Sequence, residues 1–152
     1  MVRGSTGPVV RVASIMSIPA VLRSLGADPA KVLAEAGYEP EFFDNPDTRI
    51  SFAARNRLLA HCSTSTGCPH LGLLIGQHAG LHSLGLIGLL VKYAPDVGSA
   101  LLTLVRYLHL HVRGATTSLV TDERLSKFTW DVYQPWRDGV VHVADGALAA
   151  IF

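Results

Sequence analysis

Between Leu71 and Val91 the chain carries no aspartate, glutamate, lysine or arginine, and glycine punctuates this uncharged run at positions 72, 76, 80, 85 and 88. Gly72, Gly76 and Gly80 fall four apart and Gly85 and Gly88 three apart, so each set lies on one helical face and bares backbone there. Faces of that kind let helices approach closely, and we expect Gly72, Gly76, Gly85 and Gly88 to be packing glycines. About 20 apolar residues also suffice to span a membrane. Here Gln77, His78, His82 and Ser83 interrupt the run, and Ala79-Gly80 reads as a helix end. Two short buried helices explain the segment better than one span, so no membrane partner is expected.

The next segment is the most strongly patterned. Behind an Asp96 cap, Val97, Ala100, Leu101, Leu104, Val105, Leu108 and Val112 recur at the i, i+3, i+4, i+7 spacing of one buried stripe, while Thr103, Arg106 and His109 fall away from it. Gly114 is expected to end this helix, after which the period changes from 3.6 to 2. In SKFTWDVY, Phe128, Trp130 and Val132 alternate with Lys127, Thr129 and Asp131, the pattern of a half-buried strand. Paired with ATTSLVT across a turn around Asp122 to Arg124, it makes a hairpin that has to rest on the helices, since an isolated hairpin is marginal. Val140 to Phe152 reads as a last helix with Val141, Ala144, Leu148 and Phe152 on its apolar side, and the sequence stops within that pattern.

Upstream, the signals are short. Ser17 reads as the N-cap of IPAVLRSLG, with Pro19 in the first turn and Gly26 as the stop. Asp28-Pro29 opens a second short helix that Gly37 ends. A third begins at Ser51 and runs through FAARNRLLAHC, anchored by Phe52, Leu58 and Leu59. The link EPEFFDNPDTRI, with two prolines, reads as a loop. Pro69 suits the first position of the helix carrying HLGLLIGQ, and Ser83 the cap of LGLIGLLVKY.

With 152 residues, 49% of them apolar and 16% charged, the chain is long enough for one ordinary domain and too greasy for disorder. A net charge of +1 without blocks of like charge points to no particular partner. Residues 1–10 read as a flexible tail and 11–152 as the folded domain. No signal-peptide pattern opens the chain, which together with the C-x5-C spacing of Cys62 and Cys68 leads us to expect a cytoplasmic protein with reduced thiols.

HLGLLIGQ, Gly80 with Leu81, SLGLIGLL, Ala94 with Pro95, and SALLTLVRYLHLH resemble the N-terminal effector-sensing domain of AraC-type transcriptional regulators. The class concerned is named after arabinose binding but is distinct from the arabinose-binding cupin, and fainter echoes run from about Ile18 to the end. The resemblance implies a sensor of a small-molecule effector that signals to a C-terminal pair of helix-turn-helix units. No such units follow Phe152, so we expect either a truncated regulator, incomplete at its C-terminus, or a stand-alone sensing module.

Other functions fit less well. The helices Ile18 to Leu25 and Pro29 to Ala36 imitate a helix-turn-helix in outline. The would-be reading helix offers only Lys31 against Glu35, whereas DNA interfaces are markedly cationic. A helical hairpin without direct DNA binding is the better reading. His78 and His82 have the i, i+4 spacing of metal ligands, but Gly80 and Ser83 break the helix and no HExxH glutamate is present. His109 and His111, two apart, cannot face the same way on a helix. A Cys-His pair using Cys62 or Cys68 has no supporting motif, nor is there a nucleophile elbow, phosphate loop or nucleotide fingerprint. Catalysis, metal and cofactor are not expected.

A ligand pocket needs an apolar lining and a few convergent polar groups. Tyr107, His109, His111 and Trp130 can supply them where the amphipathic helix meets the hairpin. Each also has a structural role open to it, as a solvated or core side chain. The expectation is an α+β fold, mostly helical over its N-terminal two-thirds, with a β-hairpin packed on it and a truncated C-terminal helix. Its expected task is effector binding in transcription regulation. The rivals are a ligand-free structural or dimerisation module, with a homodimer possible, and a small hydrolase or haem-binding domain using the histidines.

Overall fold

The structure, a computed structural model, describes residues 9–112, 115–132 and 139–151. In chain order the elements are β1 (Val9–Arg11), a 3-10 turn (Val12–Ser14), α1 (Ile18–Ser24), α2 (Pro29–Glu35), a 3-10 turn (Pro40–Phe43), β2 (Arg49–Ser51), α3 (Phe52–Thr66) and α4 (Leu71–Ala79). They continue with a 3-10 turn (Leu81–Leu84), α5 (Leu86–Lys92), α6 (Val97–His111), β3 (Ala115–Thr121), β4 (Ser126–Val132) and α7 (Val140–Ile151). The fold is therefore α+β and mostly helical. No helix among the described residues is long and apolar enough to cross a membrane. Contacts divide the described chain into two compact units, one of residues 9–80 and 139–151 and the other of residues 81–132.

In the first unit, side-chain caps set the starts of α2 and α3. Ala30 N–H donates to Asp28 Oδ1 at 3.0 Å and Ala54 N–H to Ser51 Oγ at 3.2 Å, each satisfying a backbone donor that the first helical turn leaves open. Gly67, at φ 62°, ends α3 in the left-handed conformation that glycine adopts without penalty. The core gathers Ile18, Val21 and Leu22 from α1, Val32 and Leu33 from α2, Phe52, Leu58 and Leu59 from α3, and Leu71 and Ile75 from α4.

Four local readings are corrected in this unit. Ser17 does not cap α1; its own backbone is already helical, and its hydroxyl donates to the Ile75 carbonyl of α4 at 3.2 Å. The segment EPEFFDNPDTRI is not loop throughout, because it contains the Pro40–Phe43 turn and the first residues of β2. β2 pairs antiparallel with β1, Val10 opposite Ile50, and both side chains are buried. Val9 and Val10, expected in the flexible tail, thus belong to β1. Pro69 lies in the turn ahead of α4, whose N-cap is His70.

α7 packs on α4 through small residues. A Cβ on Gly72 would collide with the His142 backbone, and one on Gly76 with the Gly146 carbonyl and, at 2.8 Å, with Ala149 Cβ. The face α7 turns to α4 is therefore His142, Gly146 and Ala149. Val141 and Leu148, expected on the apolar side, are exposed instead. Large side chains cannot fit where two backbones approach this closely, so the small residues take the contact. Phe152 and the proposed helix stop at Gly114 lie outside the described residues.

In the second unit the cap of α5 is Gly85, at φ 61°, while Ser83 is buried within the preceding 3-10 turn. Gly85 thus stands ahead of α5 and not within it, at a positive φ that suits glycine. Gly88 lies against that turn, where a Cβ would meet the Leu81 carbonyl. Asp96 caps α6, accepting from Ser99 N–H and Ser99 Oγ at 2.8 Å each. The α6 stripe is covered from Ala100 onward, deepest at Leu104 and Leu108, and Val97 in the first turn stays exposed. β3 and β4 pair antiparallel with Leu119 opposite Phe128 and Thr117 opposite Trp130. The face carrying Ala115, Thr117, Leu119, Phe128 and Trp130 is the more covered one, and β3 packs on α6. Asp122 closes the turn by accepting from Arg124 N–H and Leu125 N–H at 2.8 Å each.

Candidate ligand-binding regions

Two regions present polar chemistry in partly or fully apolar surroundings. The first is in the second unit. Tyr107 and His111 stand one turn apart on α6, both half-buried, and flank the Leu104 and Leu108 stripe on the same side. Trp130 is half-buried on the covered face of the hairpin, opposite Thr117 of the strand that packs on α6. His109 is exposed and lies on a different side of α6 from Tyr107 and His111.

The second region is in the first unit. Arg55 and Asn56 are 6% and 4% exposed, as deep as the leucines around them. Both the Nε and Nη2 groups of Arg55 donate to Asn56 Oδ1, at 3.3 and 3.1 Å, and the guanidinium carbon lies 4.7 Å from the centre of the Phe52 ring. Burial pulls the Arg55 pKa down to about 10, still far above neutrality, so the group remains a cation inside the fold. Reading FAARNRLLAHC for its apolar anchors passed over this pair. The signal was there: Phe52, Arg55, Asn56 and Leu59 have the i, i+3, i+4, i+7 spacing of a core stripe, which places two polar residues at core positions.

The remaining nucleophiles and ligands are dispersed. Gly80, at φ 53°, separates His78 on α4 from His82 in the next turn, and His78 Nδ1 is bonded to the Leu74 carbonyl at 2.8 Å. His61 Nε2 lies 3.0 Å from the Val32 carbonyl and 3.7 Å from Glu35 Oε2. Among the described residues no group of three or more histidine, cysteine, aspartate or glutamate side chains is placed to hold a metal. Cys62 and Cys68 are buried free thiols, and burial pushes Cys62 up to about 11, which keeps it protonated and a poor nucleophile.

A mostly helical α+β fold with polar groups buried inside it fits a ligand-binding domain. The family model described as the arabinose-binding domain of AraC transcription regulators, N-terminal, matches residues 26–152. The chain belongs to this family of regulatory, effector-binding domains. It is 26% identical over 131 residues to the HTH-type transcriptional regulator VirS of Mycobacterium tuberculosis (strain ATCC 25618 / H37Rv), an alignment covering 85% of this chain and 38% of that protein. It is 24% identical over 147 residues to the ornithine utilization regulator of Pseudomonas aeruginosa, covering 97% of this chain and 43% of that protein. The chain thus spans less than half the length of either relative.

Proposed function

We propose that this chain binds a small metabolite in the cytoplasm and passes its bound state to a DNA-binding domain carried outside these 152 residues. The observation that carries this reading is the family match across residues 26–152. Binding can control transcription only if the effector prefers one of two conformations, and the size of the response is limited by that preference. Tyr107 and His111 are the proposed hydrogen-bonding groups and Trp130 the apolar wall, with His109 at the margin. Direct DNA contact by these residues is not part of the proposal, since α1 and α2 bury their apolar sides together and α2 offers one lysine.

A thermal-shift screen of amino acids, sugars, aromatic acids and fatty acids tests the reading. A ligand specific for the folded state contributes RT ln(1 + [L]/Kd), about 2.7 kcal/mol at a hundred times Kd. We expect a saturable hit that weakens in folded Trp130→Ala or His111→Ala variants. A hit undiminished in both variants moves the site elsewhere. The rival dimerisation module, read first on the glycine-faced helices, has Leu86 and Leu90 on one face of α5 and Tyr93 at its C-cap to draw on, 73%, 45% and 78% exposed. Concentration-dependent sedimentation together with an empty screen would favour it.

A further inference from the structure

We propose that Arg55, together with Asn56 and the Phe52 ring, forms a binding site for a small organic carboxylate. The ion pairs formed among the described residues are Arg11 with Asp47 and His61 with Glu35, so no described carboxylate neutralises Arg55. A guanidinium has five N–H donors in a planar fork. Here the side edge, Nε with Nη2, is committed to the single oxygen of Asn56. The end edge, Nη1 with the second proton of Nη2, has no acceptor among the described residues, and it is the edge that takes a carboxylate bidentately.

Burying a cation against a neutral amide and a ring leaves most of its lost hydration uncompensated, and proteins pair such charges or use them. Asn56 fixes the plane of the fork, and its backbone is itself held: Gly139, just ahead of α7, stands so close to the Asn56 carbonyl that a side chain could not fit. The receptor is thus pre-organised on the longest helix of its unit. One buried positive charge complements one negative charge, which favours a carboxylate over a phosphate carrying nearly two. The Phe52 ring suits the apolar part of an organic acid better than a hydrated inorganic ion. These residues are separate from Tyr107, His111 and Trp130, so the two proposals stand or fall independently.

Thermal-shift titrations of the whole chain with acetate, butyrate, hexanoate, benzoate and succinate, each beside its amide, test the site, with inorganic phosphate as a further probe. The expected result is a saturable stabilisation by at least one carboxylate and none by its amide or by phosphate. Arg55→Gln is expected to weaken that carboxylate about tenfold or more, the loss of a charged hydrogen-bond pair, with Arg55→Lys in between. A carboxylate response retained in a folded Arg55→Met variant would overturn the proposal. So would a carboxylate response unchanged in Arg55→Gln, a response to phosphate alone, or none at all. Stabilisation by neutral metabolites alone, equal in wild type and Arg55→Gln and with no carboxylate response, would overturn this site while leaving the effector reading intact. A carboxylate response lost in Arg55→Gln but unchanged in Trp130→Ala would establish it regardless of the other region.

Discussion

Gly76→Ala adds a single methyl group at the contact between α4 and α7, and two effects of opposite sign decide its outcome. Alanine in place of a helical glycine is favourable by about 1 kcal/mol, because the unfolded chain loses less freedom on folding. Against this, the new Cβ would overlap the Gly146 carbonyl and lie 2.8 Å from both Gly146 Cα and Ala149 Cβ, where carbon atoms normally rest about 3.5–4.0 Å apart. Two of these neighbours are backbone, so no rotamer change relieves the overlap and α7 has to shift. Overpacking of this kind costs about 1–3 kcal/mol, and the rigidity of the backbone puts the cost near the upper end. The net is a loss of about 2 kcal/mol, or roughly 4–8 °C in Tm for a chain of this size. Circular dichroism melts measure it directly. Gly98→Ala in α6, whose Cβ would meet only Asp96 Oδ1 at 3.2 Å, is the control and is expected to move Tm by no more than about 2 °C. A raised Tm for Gly76→Ala would refute the reasoning, since it would mean that the methyl finds open space.

Gly139→Ala combines a φ of 72° with a collision at the Asn56 carbonyl, so it is expected to lower Tm; an unchanged melt would show that α7 does not start against α3 in this way. In a Cys68→Ala variant, Cys62 is expected to react with a disulfide reagent at pH 7.5 far more slowly in the native chain than in urea, because burial holds the thiol protonated; equal rates would contradict its burial. The Ser99 N–H and hydroxyl hold the Asp96 carboxyl below its ordinary value by bonding to the ionised form. Its contribution is therefore present above the unfolded pKa, about 3.9, and lost as pH falls through the lower folded value. Asp96→Ala is expected to melt lower than the wild type at pH 7 and to converge with it in strong acid; a gap constant with pH would exclude the cap.

Where a residue's role follows from local chemistry or from a long period, the sequence carried it. Asp28, Ser51 and Asp96 each cap the helix they precede, Leu104 and Leu108 centre the α6 stripe, and the switch from period 3.6 to 2 marks the hairpin with Phe128 and Trp130 on its covered face. Three-residue strands have no period to read, so the β1–β2 pairing escaped notice. Ser17 and Ser83 have cap chemistry but were claimed by tertiary contacts or burial, and a positive φ gave the α5 cap to Gly85. On α7, counting large apolar residues pointed to Val141 and Leu148, yet the close approach to Gly72 and Gly76 selected small ones. Helical spacing puts Tyr107 and His111 on one side of α6 and His109 on another, although the expectation had named all three beside Trp130. Arg55 and Asn56 were missed because a polar residue in an amphipathic helix is ordinarily assigned to solvent, and only its place in the stripe argues otherwise.

Calorimetric titration of the folded chain with the metabolite panel tests the central claim, effector binding, most directly. The account predicts saturable heat from at least one small metabolite, with one molecule bound per chain at the site that gives the thermal shift. Absence of saturable binding across the panel, in protein shown by circular dichroism to be folded, would contradict it.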